Sequence, residues 1–486
     1  MNRPTHSSNL LRSPAAPRSR RRGSTLLLVL WVVTISSLII IPLQLSAQRQ
    51  AVSGREALGR VRAKWAARAG IESYIAYLEW QIDTEQEVEP TTFEEEMKDL
   101  AHGTIRDAGN VLVAEYHIQH WINDELVDGP ADAHSKANLN RLDEETLTKL
   151  EDITPEIVAA ILDWIDPDDD VREGGAEAGY YNHPLKPYVP RNGPFKNLQE
   201  LELVYGVTPL LVRGEDWNLN GLLDPNEDDG SDSWPDDNAD GRLDAGWSAV
   251  LTTGSWEPGP IEPGRGRLSL STSAVSAIRE AFGIDQSQAN ALFQYSRAEG
   301  NTLAGLITTP LSSIGRNGQP AQGGTSGNQA GQTGGQSTRR GRQNQPQQPQ
   351  GQTLGARNLT DEQLGRVLAG GTIGTTYARQ PGRVNINTAP IEVLELLPGV
   401  DEALADQIDL LRHSKTMGIT SIIDLLQIPT LSRENLAAIA PFIDVSSNVF
   451  IITASGVALP GRTEVQLVVT IDRSSLPIRV LEYVER

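Results

Sequence analysis

Leu26 to Leu45 is an almost unbroken apolar run, and roughly 20 such residues match the hydrocarbon core of a bilayer, so one membrane helix is expected here. Ala51 to Trp80 contains no proline, which predicts that the helix continues beyond the membrane as a long amphipathic stem. The periodicity then changes. Val111 to Trp121 alternates apolar and polar residues, and Val449 to Ala454, Glu464 to Ile471 and Pro477 to Tyr483 have the same strand character. These strands come from both ends of the chain. The economical fold is α+β, with the stem helix packed on an antiparallel sheet and the middle inserted as mainly helical material.

The middle contains a repeat. When Asn138-Leu-Asn140 is laid on Asn385-Ile-Asn387, Leu147, Leu150, Ile153, Ile157 and Ile161 fall on Leu394, Leu397, Val400, Leu404 and Ile408. Spacings of three and four describe two short helices around a tight turn in each copy. Asn140 and Asn387 are placed to cap the first helix of each unit. Between Gly315 and Arg357 large apolar residues are almost absent, and such a segment cannot bury a core, so it is expected to be a disordered linker.

Charge narrows the function. A net charge of −21 repels nucleic-acid phosphates, whose binding rests on Lys and Arg displacing counterions. The acids are clustered, at Asp166 to Asp170 and across Asp216 to Asp244, and such clusters repel themselves unless a cation joins them. With no cysteine, disulfides and thiolate chemistry are excluded. Asp163, Asp166 and Glu177 are the nearest approach to a hydrolytic carboxylate pair, but no activated nucleophile or nearby histidine accompanies them, and the chain is not expected to be an enzyme.

The sharpest motif is Asp216-Trp-Asn218-Leu-Asn220-Gly221-Leu222-Leu-Asp224-Pro-Asn-Glu227. It fits the EF-hand calcium loop: oxygen donors at positions 1, 3 and 5, the Gly221 turn at 6, the Leu222 carbonyl at 7, Asp224 at 9 and a bidentate Glu227 at 12. A second loop, Asp236, Asn238, Asp240 and Asp244, repeats the pattern but ends in Trp247. Its missing carboxylate has to be borrowed, with Asp228, Asp229 and Asp232 the nearest donors in sequence, or its binding is weaker. Neither loop lies between obvious long helices, so a static Ca²⁺ staple is expected rather than a sensor.

Ahead of the apolar run stand Arg18, Arg20, Arg21 and Arg22, directly before Gly23; arginines on the leading side keep that end cytoplasmic. The segment Arg-Arg-Arg-Gly-Ser-Thr-Leu-Leu-Leu-Val-Leu resembles a class III prepilin leader. The resemblance implies cleavage by prepilin peptidase between Gly23 and Ser24, with the helix retained as anchor and stem. Most pilins carry Glu at the fifth mature position, and this chain has Leu28 there.

The leader without that Glu, the Ala63-to-Glu72 stem, the helical insertion and the paired Asn-x-Asn modules together resemble the K-type minor pseudopilins of the type II secretion system. So do Ile161-Leu-Asp-Trp-Ile-Asp-Pro-Asp-Asp169, Gly174-Gly-Ala-Glu177, Tyr180-Tyr181, Pro187-Tyr188 and Asn192-Gly-Pro-Phe195. The resemblance implies a low-copy subunit at the tip of the periplasmic pseudopilus. Its body would be periplasmic on a single-pass inner-membrane anchor, its partners the I- and J-type minor pseudopilins, and its inserted domain would carry calcium sites. The residue patterns and the resemblance together divide the chain into a leader at 1–23, a membrane helix at 24–46, a stem at 47–85 and a pilin-like sheet from 86–137 and 446–486, while the Asp216 to Trp247 loops and the linker depart from the family pattern. Helical modules at 138–210 and 358–445 would flank calcium loops at 211–250, a connecting region at 251–314 and the linker at 315–357.

The second module also looks like a helix-hairpin-helix, which grips DNA phosphate in many proteins. The alternative is therefore a DNA-uptake or type IV pilus-like component. Glu392, Glu395, Asp401, Glu402, Asp406 and Asp409 surround the hairpin, with Arg383, Arg412 and Lys415 the nearby basic residues, so nucleic acid is not the expected partner.

Overall fold

One helix, Arg22–Thr84, takes up both the apolar run and the stem, with Pro42 inside it. The computed structural model describes residues 22–84, 100–122, 125–182, 187–221, 223–257, 267–320, 355–373 and 380–485. Residues 1–21 of the expected leader, most of the expected linker and Leu222 lie outside the described residues. Among the described residues this is the one helix long and apolar enough to cross a membrane. Leu26 to Ile35 face outward, and the hydroxyls of Thr34 and Ser37 donate back to the helix carbonyls of Trp31 and Val33 at 2.9 and 2.7 Å. Polar groups in hydrocarbon need such internal partners.

Further along, one stripe of the helix is buried: Ala63, Ala66, Ala67, Ile71, Tyr74 and Leu78, at the helical spacing that puts them on one face. It lies on an antiparallel sheet. The sheet order is His102–Arg106, Leu112–Ile122, Val449–Ala458, Thr463–Asp472 and Arg479–Glu485, with Glu125–Asp128 and Ala131–Asp132 paired at its side. All four strands expected from period-two patterning are present, and the sheet does draw on both chain ends. His102–Arg106 and Glu125–Asp128 were not expected, being short and weakly alternating.

Small residues set the distance between helix and sheet. A Cβ on Gly456 would lie 1.9 Å from the Ala63 carbonyl and 2.7 Å from the Ala67 nitrogen, so strand backbone runs directly against helix backbone. Beside it the Tyr116 ring is held between Gly70 of the helix and Gly103 of the neighbouring strand, where added Cβ atoms would come within 2.5 and 2.2 Å of the ring.

The inserted middle consists of two units built alike. In the first, strand Ala137–Asn138 is followed by Glu144–Leu147, Pro155–Ile165, the 3₁₀ turn Leu198–Leu203, helix Pro209–Arg213 and closing strand Leu251–Thr252. In the second, Val384–Asn385, Ile391–Leu396, Glu402–Ser414, Ile422–Gln427, Arg433–Ile439 and Ile443–Asp444 follow in the same order. Each closing strand pairs in parallel with its opening strand. Of the ten aligned apolar positions, all but Ile153 are buried, and that one packs against the same core.

The Asn-x-Asn motifs do not cap the following helices as expected. Asp143 caps Glu144–Leu147, and Ile391–Leu396 has no side-chain cap. Instead Asn138 and Asn385 accept from the backbone of Asn140 and Asn387 at 3.0 Å. Asn140 then exchanges two bonds with the Phe195 backbone, at 2.9 and 2.6 Å, and Asn387 does the same with Ile419 at 2.9 and 2.8 Å. A planar amide offers donor and acceptor side by side, so it can replace a backbone pairing where two segments must be joined without a strand.

Both ends of the glycine-rich segment are packed: Gly315 N donates to Gln319 O at 2.9 Å, and Ala356 is buried.

Candidate functional site

The acidic loops lie between helix Pro209–Arg213 and the closing strand of the first unit. In the first loop both end carboxylates are buried, Asp216 at 3% and Glu227 at 1% exposure. Asp216 Oδ1 and Oδ2 accept from Asn220 N and Gly221 N, each at 2.9 Å. Glu227 Oε1 accepts from Trp217 N at 3.0 Å and Oε2 from Asp224 N at 3.1 Å. Gly221 has φ +67°, the left-handed turn for which glycine is suited. The amides of Asn218 and Asn220 donate to Asp224 Oδ2 at 2.6 and 2.9 Å. Burial pushes the Glu227 carboxyl upward, against the two backbone bonds that lower it, and the charges of Asp216 and Asp224 add to the rise.

The first loop is therefore folded into one compact turn around its own carboxylates, and every described donor the pattern calls for sits in it. Among the described residues no three His, Asp or Glu side chains converge as a ready-made metal cluster; Asp224 is held by amide nitrogens whose oxygens are the ligand atoms of the pattern. The donor set itself, all oxygen and from one segment, fits Ca²⁺.

In the second loop Asp236 is exposed, and Asp228 Oδ1 accepts from Gly241 N at 2.9 Å, matching Asp216 with Gly221. Asn238 donates to Asp244 Oδ2 at 3.0 Å, as Asn218 does to Asp224, and Asp240 N bonds Asn238 Oδ1 at 2.9 Å. Trp247, at the position of the missing carboxylate, is buried and donates its indole N–H to Glu151 O at 2.8 Å. That position serves the core. Glu215 also reaches this loop's backbone, accepting from Asn238 N at 3.2 Å and Asp244 N at 3.1 Å; sequence reasoning missed it because it precedes the first loop.

A third set of oxygens stands apart. Asp163 is fully buried and held by Arg172 at 2.8 Å, and Arg172 also pairs with Asp166. Next to them Glu177 is buried with neither carboxylate oxygen bonded, and Asp166 Oδ1 and Asn192 Oδ1 likewise lack a donor. Burial, then the charges of Asp163, Asp166, Asp169 and Asp168, push the Glu177 carboxyl up to about 7.

The carbonyls at the hairpin turn of the second unit are taken up by the first. Lys149 of the first unit donates to the carbonyls of Glu395, Leu397 and Val400 at 2.8, 2.6 and 3.2 Å. The three basic residues near the hairpin are engaged internally as well. Arg383 pairs with Glu257 at 2.7 Å and with Asp444. Arg412 bonds Ala389 O at 2.6 Å and Asp409 at 2.5 Å, and Lys415 bonds Asp424 at 3.0 Å.

Residues 122–214 match the family described as type II secretion system (T2SS), protein K. By that match the chain carries a protein K domain. Residues 380–444 match the helix-hairpin-helix motif. Among solved structures the chain is similar to one described as the GspK-GspI-GspJ complex from the enterotoxigenic Escherichia coli type 2 secretion system. That similarity has 13% identity and a TM-score of 0.41, over 89% of this chain and 99% of that chain. No curated protein matches the chain. The protein K domain so matched spans the Asn140 clamp, the Asp163 to Glu177 oxygens and helix Pro209–Arg213, and ends where the acidic loops begin.

Proposed function

We propose that the chain is a minor pseudopilin of a type II secretion system, anchored in the inner membrane with its body in the periplasm. The observation that carries this reading is the single helix Arg22–Thr84, apolar and uncovered at its start, seated by small residues on a sheet built from both chain ends, with a protein K domain inserted between them.

The tip is the position that suits it. Within the apolar stem bundle of a pilin-type fibre, an acidic residue at the fifth mature position can neutralise a neighbour's terminal amine, and a buried unpaired charge is costly. Leu28 provides no such partner, and two helical units and the loops make this a bulky subunit. Leu58, Val61 and Trp65 are exposed on the stem, with Arg68 over the Trp65 ring at 5.4 Å. This is the surface for the I- and J-type minor pseudopilins, from below and beside. The experiment is to mix the detergent-solubilised chain with those proteins and locate it by electron microscopy. One copy at the end of the fibre is expected; copies repeated along the shaft, or no complex, overturn the assignment.

The loops are calcium staples in this reading. Asp216, Asn218, Asn220, Leu222, Asp224 and Glu227 hold one ion, and Asn238, Asp240 and Asp244 contribute to a second. Ca²⁺ supplies there the positive charge that lets clustered carboxylates remain close. The donorless oxygens of Glu177, Asp166 and Asn192 belong to the same chemistry, since buried acceptors without donors call for a partner. DNA uptake is the weaker reading, because Arg383, Arg412, Lys415 and Lys149 are all engaged inside the fold.

A further inference from the structure

We infer that His102 and His117 form a binding site for a divalent transition-metal ion, copper(II) being the best fit, with Asp128 holding the first ring in place. The site is on the sheet, outside the acidic loops, and does not depend on whether those loops take calcium.

Three pieces of chain meet there. His102 opens strand His102–Arg106 and stands across the ladder from His117. Asp128 closes strand Glu125–Asp128, opposite Gln119. Both short strands lie end to end along the same edge of Leu112–Ile122: Ile118 donates its N–H to Ala101 O at 2.7 Å and accepts from Gly129 N at 2.9 Å. The backbone ladder thus fixes where the three side chains stand. Successive residues of a strand face opposite sides, so His117 shares the face of Gln119, away from buried Tyr116 and Ile118.

The two rings turn their Nδ1 atoms toward each other, 2.8 Å apart, with the ring planes 67° from parallel. The far nitrogen of His102, Nε2, meets Asp128 Oδ2 at 2.8 Å, and the Gln119 amide donates to Asp128 Oδ1 at 2.8 Å. Nε2 must carry the proton in a bond to a carboxylate, so neutral His102 presents Nδ1 as a bare lone pair. A carboxylate behind the far nitrogen is the arrangement that fixes the tautomer and orientation of metal-bound imidazoles. In the metal-free pair, the Nδ1–H of His117 donates to His102. On metal binding that proton leaves to solvent and both lone pairs take the ion.

The spacing selects the metal. Imidazole suits copper, nickel and zinc, whereas calcium and magnesium prefer oxygen. Metal–nitrogen bonds of about 2.0–2.1 Å set two nitrogens about 2.9 Å apart at a right angle and about 3.3 Å apart at a tetrahedral one. The 2.8 Å separation matches the right angle, which belongs to tetragonal copper(II) or nickel(II), and copper(II) binds the tighter of the two. The protein supplies two ligand atoms and water the rest, in keeping with the lack of three converging His, Asp or Glu side chains among the described residues. His102 and Asp128 are 43% and 33% exposed, so an ion reaches them from solvent.

The test is copper(II) titration of the full chain in detergent micelles with excess calcium, which fills oxygen sites and leaves imidazole free. Bound copper is counted by equilibrium dialysis and its electron paramagnetic resonance spectrum is recorded. The wild type is expected to hold one ion coupled to two imidazole nitrogens, and His102→Asn and His117→Asn each to lose that ion. His413→Asn, at an exposed histidine of the second unit, is expected to leave it in place. Asp128→Ala is expected to keep the ion but hold it about 10- to 100-fold more weakly; unchanged affinity there overturns the positioning role of Asp128. An unchanged copper count and affinity in either of the His102 and His117 variants overturns the site. So does a wild type without the two-nitrogen signal, a readout that decides the matter even where a variant fails to fold.

Discussion

Gly456→Val is expected to unseat the stem helix from the sheet and to lower the melting temperature of the detergent-solubilised chain. The Cβ of any residue there would lie 1.9 Å from the Ala63 carbonyl and 2.7 Å from the Ala67 nitrogen. Both obstacles are helix backbone and cannot rotate away as a side chain would. Helix and strand must separate, and the stripe from Ala63 to Leu78 then loses its fit on Ile452, Ala454, Leu467 and Val469. Overpacking in a rigid core typically costs about 1–3 kcal/mol and occasionally more, and contact with backbone on both sides places this substitution at the upper end. Gly461→Val is the control: its added Cβ would meet only the Thr463 hydroxyl, at 3.9 Å. A Gly456→Val protein that melts like the wild type would contradict the close helix–sheet contact.

Calcium should raise the melting temperature of the full chain, and Glu227→Gln should remove most of the share that comes from the first loop. A ligand that binds only the folded state stabilises it by about 2.7 kcal/mol when present at a hundredfold excess over its dissociation constant. Glu227 is the residue whose loss should tell most. It is buried at 1% exposure, its two oxygens join Trp217 to Asp224, and its carboxyl is raised by burial. That rise has a sign. A carboxyl whose folded value lies above its unfolded one favours the fold most at pH below the unfolded value and loses that contribution as pH rises through the folded one. Without calcium the first loop should therefore weaken as pH rises through the raised Glu227 value, and calcium should reverse the trend. Equal melting curves with calcium and with chelator would remove the loop reading.

Much of the architecture is readable along the chain because it rests on periodicity. The four strands, the stem and the twin units follow from spacings of two and of three to four, which are properties of single segments. The Asn140 and Asn387 clamps were legible as a repeated pair but not in their role. Their partners, Phe195 and Ile419, lie at different separations in the two units, because the first unit carries an insertion through the Asp163 to Glu177 region. The pattern of the first acidic loop is local, so it can be read from spacing alone. The second departs from that pattern, since its closing position is given to the core as Trp247. The unpaired oxygens of Glu177, Asp166 and Asn192 depend on burial, which no local spacing reveals.

The most direct test of the pilin reading is the amino terminus of the protein extracted from membranes. The helix begins at Arg22, just ahead of the apolar run, and on the proposed reading the arginines before Gly23 would hold that end at the cytoplasmic face, where prepilin peptidase would act. Amino-terminal sequencing should return Ser24 as the first residue, with Leu28 fifth. A chain beginning at Met1 would make it a plainly anchored envelope protein, and one beginning at Gln48 would make the apolar run a secretory signal; either result contradicts the pseudopilin assignment.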